Sequence, residues 1–241
     1  MTNSNYLFDL LLIDIETVPQ VPTYTMLNTE WQQLFFDKIS KSMPENISID
    51  TVYRNKAGIL AEFAKVICIS TAFYYEDKQG NICLKMKSIY GDDEYALLQD
   101  FKELVTKFSS KTRQFRFAGH NIREFDIPFL CRRMLVNGIE LPPSFQLHGA
   151  KPWEINMLDT LQWWKFGDYK NYISLHLLAN VLGVPTSKND MDGSMVQDVY
   201  YIDKDLKRIV QYCQRDVIVV AQIILKFKGA PVLPDQCIFI A

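Results

Sequence analysis

The sequence LLLIDIET at residues 10–17 is the most informative stretch of the chain for its fold. An apolar run of leucine and isoleucine that ends before Pro19 predicts a buried strand. Side chains alternate along a strand, so Asp14 and Glu16 point to one side and the isoleucines beside them to the other. Two adjacent carboxylates repel each other. The pair is therefore typical of a solvated strand end or of a site for a hard divalent cation.

The length and composition of the chain predict one soluble domain. At 241 residues the chain is near the upper limit for a single hydrophobic core, so we expect one domain over residues 1–241. Residues 20–64 form a long insertion after the first strand, whose aromatic side chains either pack on the body or stack on a substrate. The net charge of −2 excludes a global basic field. A nucleic acid partner would have to be held by local basic groups or by bound metal.

Several features of the sequence predict a cytoplasmic protein without a membrane partner. The N-terminus lacks a basic region, and its apolar run is interrupted by Asp9 and Asp14, which makes it a poor signal peptide. The apolar run at 217–225 is much shorter than the ~18 residues needed to span a bilayer. The five cysteines are scattered without zinc-binding spacing, as is typical of reduced thiols.

Hydrophobic periodicity and turn residues divide the rest of the chain into strands and helices. Strands first, followed by strand–helix alternation, predict an α/β layer fold with a mixed sheet and helices on its faces. The predicted strands after the first are 66–75, 82–90, 115–119 and 156–161. The predicted helices are 29–39, 92–109, 127–136, 174–182, 195–201 and 204–228, with a polar loop at 188–193.

A second stretch whose side chains could form part of a functional site is GHNIREFD at residues 119–126. It reads as a short strand that enters a turn, with Asp126 at the start of the following helix, where the helix dipole favours an anion. The alternative is that Asp126 only caps this helix ahead of Pro128. The segment by itself does not decide between a cap and a functional group.

The third stretch lies in the last helix. Tyr212 and Asp216 are four residues apart and share one helical face at the edge of a buried stripe. Asp216 is followed by four apolar residues, and this is a costly place for an unpaired charge. Its partner is either a cation such as Arg215 or Arg208, or a metal ion.

In this order, the three stretches resemble the motifs of the DnaQ-like 3′–5′ exonucleases that have four acidic residues. The variant resembled has tyrosine in its third motif, since the histidine of the other variant would stand at position 211, which is Gln211. Residues 125–133 and 175–183 are similar to proofreading exonuclease domains of family-B DNA polymerases. Over about residues 8–228 the chain resembles stand-alone 3′–5′ exonucleases related to those domains.

The resemblance implies a ribonuclease-H-like fold, with a mixed central sheet, helices on both faces and an active site at the end of the central strand. It also implies two divalent cations, Mg²⁺ with Mn²⁺ able to substitute. Asp14 would bridge both ions, Glu16 and Asp216 would hold the ion that activates water, and Asp126 would serve the other. Tyr212 would position the attacking water, because a phenol with a pKa of ~10 is a poor base at neutral pH.

The expected function is therefore hydrolysis of phosphodiester bonds at single-stranded 3′ ends, with DNA favoured over RNA, release of nucleoside 5′-monophosphates and a role in DNA repair. Asn121 and Phe125 are expected to contact substrate or to hold the second motif. The alternatives are a non-catalytic nucleic-acid-binding module on the same fold and a hydrolase of short oligonucleotides.

Other polar and aromatic residues have less specific expectations. Asp159 is interpreted as structural support, and the three histidines have no ligand spacing. The candidates for phosphate contacts are Arg123, Arg132, Lys165, Lys170 and Lys188. The candidates for stacking on a terminal base are Trp164, Tyr169 and Tyr172.

Overall fold

The computed structural model describes residues 4–43, 45–145, 147–151, 154–168, 170–186 and 191–241. Six strands in these ranges belong to one sheet. They are β1 (Leu10–Pro19), β2 (Ala64–Glu76), β3 (Ile82–Tyr90), β4 (Arg116–Gly119), β5 (Leu158–Asp159) and β6 (Ile238–Ile240). Their order is β5-β4-β1-β2-β3-β6, with β2 antiparallel to both of its neighbours and the other pairs parallel. The predicted mixed sheet is confirmed.

Five of the helices begin and end within two residues of the predicted positions, whereas the helices at 49–56 and 160–165 have no predicted counterpart. The helices are α1 (Thr29–Ile39), α2 (Ile49–Lys56), α3 (Glu94–Lys111), α4 (Asp126–Val136), α5 (Thr160–Lys165), α6 (Leu175–Val181), α7 (Val196–Asp198) and α8 (Leu206–Phe227). Short 3₁₀ helices lie at Ser4–Asp9, Tyr24–Met26, Ser40–Ser42, Ala57–Ile59, Pro143–Phe145, Gly193–Met195 and Asp235–Cys237, and a π-helical turn lies at Val199–Asp203. Within the described ranges, no helix combines the length and apolar character needed to cross a membrane.

The two faces of β1 bury its alternating side chains against different helices. Leu11, Ile13 and Ile15 belong to the core that includes the apolar side chains of α3 and α4. Leu10 and Leu12 belong to a second core formed with the C-terminal half of α8. The side-chain period of two that predicted the strand therefore also produces the layers, with helices on both faces of the sheet.

At the two edges of the sheet, one predicted strand is wrong in length and one strand has no predicted counterpart. The strand predicted at 156–161 is only the two-residue β5, because the Asp159 carboxylate accepts hydrogen bonds from the backbone of Leu161 and Gln162 and so starts α5. Strand β6, which pairs with the middle of β3, was not predicted, since its three residues are too short for a periodic signal.

The long insertion at 20–64 has a small aromatic core of its own. The Phe35 ring is fully buried and meets the rings of Tyr53 and Phe63 edge-on, with centroids 5.0 and 5.1 Å away. Trp31 also packs against Phe63, with centroids 5.6 Å apart. Packing, and not stacking on a substrate, therefore accounts for Trp31 and Phe35.

Candidate active site

The acidic pair of β1 lies in the middle of the strand and not at its end, which corrects the sequence-based expectation. Strand β2 pairs with β1 as far as Pro19, whereas the parallel neighbour β4 pairs only with Leu10–Leu12. The register with β2 shifts between Glu16 and Thr17, as at a β-bulge. Asp14 and Glu16 thus lie where one neighbouring strand has ended and the other continues, and bulges are common beside active sites.

Strand β4 ends in a turn that requires glycine and asparagine at defined positions. A Cβ on Gly119 would lie 2.1 Å from Cγ2 of Ile122 and 2.9 Å from the carbonyl oxygen of Ile13, so no side chain fits there. Asn121 has a φ of 62°, in the left-handed region that asparagine tolerates better than most residues. Its carbonyl oxygen accepts hydrogen bonds from the backbone of Glu124 and Phe125. The geometry of the turn therefore explains why glycine stands at position 119 and asparagine at position 121.

Asp126 is joined directly to β1. It is the first residue of α4, and the helix cap is Phe125, whose side chain makes no capping bond. Oδ1 of Asp126 instead accepts a hydrogen bond from the backbone N–H of Ile15, at 3.1 Å. Since β4 has ended by this point, the carboxylate replaces the missing strand as the acceptor. Capping of α4 therefore does not account for the Asp126 side chain.

Asp159 holds the same turn from the far side. Its Oδ1 accepts hydrogen bonds from the backbone N–H of Asn121 and Leu161, both at 2.9 Å, and its Oδ2 accepts one from Arg123, at 3.1 Å. The side chain is almost completely buried. These contacts agree with the interpretation of Asp159 as structural support for the second motif.

Helix α8 brings the third motif over the acidic half of β1. Its C-terminal half covers the leucines of β1, so Tyr212 and Asp216, which lie earlier in the helix, face Asp14 and Glu16. The thiol of Cys213, which lies between these two positions, donates a weak hydrogen bond to the carbonyl oxygen of Asp14, at 3.4 Å. The helix is thus fixed to the strand at the site itself.

Burial raises the pKa of all four carboxyl groups, and neighbouring carboxylates raise that of Asp14 and Glu16 further. Burial raises the pKa of Asp14 well above its usual range, and the charges of Asp216 and Asp126 raise it further. Burial and then Asp14 do the same to the pKa of Glu16. Burial also raises the pKa of Asp126 to about 7 and that of Asp216 to about 6. The four acids thus form one group of interacting carboxylates, and the positive side chains that act on it, Arg215 and His176, lower the pKa of Asp216.

The donor set fits a hard divalent cation. Oδ2 of Asp14 is buried and has no hydrogen-bond partner in the described part of the chain. Ligand atoms of Asp14, Glu16 and Cys213 lie within 4.8 Å of one another. Burial and neighbouring negative charge raise the pKa of the Cys213 thiol well above its usual range, so it stays protonated. Carboxylate oxygens are the available ligands, as Mg²⁺ and Mn²⁺ prefer.

A pocket of about 510 Å³ opens beside the third motif. Its lining includes Tyr212, Arg215 and Asp216 from α8 and Ser174 and His176 from the start of α6. The positive charges of Arg215 and His176 lower the pKa of Asp216, against the larger effect of burial. The sequence did not single out His176 for this place, because no spacing connects it with α8.

The remaining candidates for phosphate contacts and base stacking differ in burial and in their contacts. Trp164 is packed in a core with α8, and Lys165 pairs with Glu124, with Nζ 3.9 Å from Oε1. Tyr172 is exposed, whereas Tyr169 and Lys188 lie outside the described residues.

The two proposed substrate contacts differ, since the Phe125 side chain packs inside the protein and the Asn121 side-chain oxygen does not have a hydrogen-bond partner among the described residues. The Phe125 ring packs against that of Phe129, with centroids 5.3 Å apart. Oδ1 of Asn121 is buried and has no hydrogen-bond partner in the ranges that the structure covers. Of the histidines, His120 is structural, since its Nε2 donates to the carbonyl oxygen of Ile173 at 3.0 Å.

Comparison with known proteins gives a family and a fold. A family model described as a predicted 3′–5′ exonuclease related to the exonuclease domain of PolB matches residues 59–230, which include the second and third motifs and begin after the first. The family B DNA polymerase from the hyperthermophilic archaeon Pyrobaculum calidifontis is similar in fold, with a TM-score of 0.54 and 14% sequence identity. The match covers 90% of this chain but 24% of that polymerase, so the chain spans about a quarter of its length. No curated protein matches the chain.

Proposed function

Because the chain belongs to the family of predicted 3′–5′ exonucleases related to the exonuclease domain of PolB, we propose that it removes nucleotides from single-stranded 3′ ends. The products are nucleoside 5′-monophosphates, and DNA is the preferred substrate because the related domain belongs to a DNA polymerase. The observation that carries the proposal is the cluster of buried carboxylates with raised pKa values beside an open pocket. Strongly perturbed acids beside a cleft are a signature of catalytic sites.

The acids are proposed to hold two divalent cations, Mg²⁺ or Mn²⁺. Asp14, Glu16, Asp126 and Asp216 are the proposed ligands, and Oδ2 of Asp14, which has no hydrogen-bond partner among the described residues, is free to bind an ion. Bound ions would supply charge neutralisation and Lewis acidity at the scissile phosphate. The protein contributes the fixed positions of the oxygens, since the backbone N–H of Ile15 holds one oxygen of Asp126.

Tyr212 is proposed to position the attacking water. Burial, followed by the charges of Asp216 and Glu16, raises the pKa of its phenol well above the ordinary value, so the hydroxyl stays protonated. A protonated phenol donates a hydrogen bond and does not remove a proton. This is the role expected in exonucleases with four acids and a tyrosine. Asn121 and Phe125 are proposed to hold the terminal nucleotide from the turn before α4.

Residues 1–241 are proposed to act as one domain in the cytoplasm, with a role in DNA repair. All five cysteines are free thiols, as is typical of proteins from a reducing compartment.

The decisive experiment is a degradation assay on 5′-labelled single-stranded DNA, duplex DNA and single-stranded RNA with Mg²⁺ or Mn²⁺. We expect a descending ladder, fastest on single-stranded DNA, and a loss of at least about 10³-fold in Asp14→Ala. Asp100→Asn, which changes an exposed acid on α3, is the matched control and should retain full activity.

The two alternatives give different results in the same assay. Binding of single strands without a ladder on any substrate would contradict the proposal and favour a binding module. Faster turnover of dinucleotides than of twenty-residue strands would favour a hydrolase of short oligonucleotides.

A further inference from the structure

The connection between α5 and α6 exposes two aromatic side chains and leads into the pocket lining at Ser174. We call residues 166–173 the aromatic loop, of which residue 169 lies outside the described ranges. Phe166 is 87% exposed, more than any other large hydrophobic side chain in the described part of the chain, and Tyr172 is 66% exposed. Both rings belong to one short connection, and exposed apolar surface that is not scattered singly often marks a binding surface.

The backbone of Phe166 is also in an unfavourable conformation. Its φ and ψ are 45° and 33°, in the left-handed region, at the C-terminal cap of α5. Glycine or asparagine usually takes this position, and a bulky residue there is a genuine outlier. The chain thus places a large ring at a strained position in water, where it gains no burial. Such outliers cluster at functional sites, because packing alone gives no reason to keep them.

Both ends of the aromatic loop are attached to the second motif. Before the loop, Gln162 donates a hydrogen bond to Oε1 of Glu124 at 3.1 Å, and Lys165 pairs with the same oxygen. At the far end, the Ile173 carbonyl oxygen accepts the hydrogen bond from Nε2 of His120 at 3.0 Å. Since Glu124 lies two residues before Asp126, the loop is held next to the acidic site.

The chain then continues from the loop into the pocket lining. Ser174 and His176, which follow the loop directly, line the pocket together with Tyr212 and Asp216. The aromatic loop therefore adjoins the pocket lining in the chain, so a strand whose 3′ end reaches the acids can extend along this loop. Lys170 lies within this loop and is exposed, which suits a path for a phosphate backbone.

We propose that Phe166, together with Tyr172, stacks on unpaired bases of the strand whose 3′ end occupies the pocket. The assignment rests on the proposed function and specifies its substrate. Stacking accepts every base and both sugars but needs bases that are free of a partner, so the loop selects single strands. It also supplies affinity that a chain with a net charge of −2 cannot obtain from a general basic field.

The kinetic test compares Phe166→Leu with the unchanged protein on a twenty-residue single strand and on a dinucleotide. We expect KM for the long strand to rise about 5- to 100-fold with little change in kcat, and the dinucleotide to be unaffected because it does not reach the loop. Phe166→Trp, which keeps an aromatic face, should have a KM close to that of the unchanged protein. Tyr95→Leu, at a half-exposed aromatic residue on α3, is the matched control and should leave KM unchanged.

A binding test on Asp14→Ala makes the inference independent of turnover. Strands with 2-aminopurine two to five positions from the 3′ end should lose fluorescence on binding, and this quenching should disappear in the double variant with Phe166→Leu. Phe166→Gly should bind as weakly while its Tm equals or exceeds that of the unchanged protein, since glycine relieves the strain.

The outcomes separate the inference from the proposed function. If the long strand is degraded but KM and quenching are the same in Phe166→Leu, the stacking role is wrong and the exonuclease proposal stands. If no substrate is degraded but quenching depends on Phe166, the exonuclease proposal fails and the stacking site stands.

Discussion

The two ends of helix α4 carry buried charges that the protein treats in opposite ways. At the C-terminal end, Nε and Nη2 of Arg133 donate to the two carboxylate oxygens of Glu94, at 2.9 and 2.6 Å. Val66 and Asn137 donate further hydrogen bonds to the same carboxylate, at 2.8 and 3.0 Å. This bidentate pair is complete within the protein.

At the N-terminal end, Asp126 joins three other acids without comparable compensation. In the part of the chain that the structure describes, no lysine or arginine forms an ion pair with Asp14, Glu16 or Asp126. Their pKa values are raised, and one oxygen of Asp14 has no hydrogen-bond partner among the residues that the structure describes. The fold neutralises the Glu94 carboxylate, whereas Asp14, Glu16 and Asp126 have no cationic side chain paired with them among the described residues. Substitutions at the two ends should therefore change stability with opposite signs.

The largest effect on stability is expected at the complete pair. Arg133→Met leaves the Glu94 carboxylate buried without its cation, and this should cost about 3–5 kcal/mol of unfolding free energy. Urea denaturation at pH 7 measures the loss. The double variant Glu94→Gln/Arg133→Met removes both charges and should recover most of it. A single variant as stable as the unchanged protein would mean that the pair is not a structural element.

A smaller loss is expected where Asp159 supports the second motif. Asp159→Ala leaves the backbone N–H groups of Asn121, Arg123 and Leu161 without their acceptor and should cost about 2–3 kcal/mol. Asp159→Asn keeps the Oδ1 acceptor and should lose about half as much. Because the turn also positions Asp126, kcat in Asp159→Ala should fall more than the folded fraction. A kcat that follows the folded fraction would limit Asp159 to a stabilising role.

The two ends of α4 also differ in how far they could be predicted from the sequence. Asp14, Asp126 and Asp216 could be selected because each belongs to a motif with a fixed spacing on a predictable strand or helix. The pair of Glu94 and Arg133 could not, since its members are 39 positions apart on different helices and only the packed structure brings them together. Local periodicity carries no information about such a contact.

The sequence also could not predict where Asp14 and Glu16 lie within the central strand. Sequence predicted β1 but placed Asp14 and Glu16 at its end, because pairing with β2 as far as Pro19 depends on a partner about fifty residues away. The exposed ring of Phe166 was missed for a similar reason. An aromatic residue between a helix and a glycine reads as a core residue until its burial is known.

At the acidic end the sign should reverse, so that Asp14→Asn stabilises the metal-free protein at pH 8 by about 1–3 kcal/mol. The native pKa values of Asp126 and Asp216, about 7 and about 6, lie above those of the unfolded chain. The native state therefore binds more protons between about pH 4 and pH 7, and stability falls as the pH rises through that window. Burial and the charges of Asp216 and Asp126 disfavour the ionised form of Asp14, and Asp14→Asn removes that penalty.

The control for this reversal is the pH itself. At pH 4 the raised pKa keeps Asp14 protonated in the folded protein, so Asp14→Asn should change stability little there. Thermal denaturation at both pH values in the presence of a chelator measures the difference. Destabilisation at pH 8 as large as that in Arg133→Met would place Asp14 among the structural acids and break the contrast between the two ends of α4.

The smallest effect on stability is expected when a divalent cation is added. Mg²⁺ or Mn²⁺ at ten times its dissociation constant should stabilise the protein at pH 8 by about 1.4 kcal/mol, which corresponds to a rise in Tm of about 3–6 °C. The rise should vanish at pH 4, where protons occupy the carboxylates, and be much reduced in Asp14→Asn at pH 8, whereas Asp100→Asn should keep it. Calorimetry in two buffers of different ionisation enthalpy should detect proton release near pH 7, since cation and protons compete for the same oxygens. An equal rise in Tm in Asp14→Asn would mean that the ion binds elsewhere, and that the acids of β1 are not what the cation neutralises.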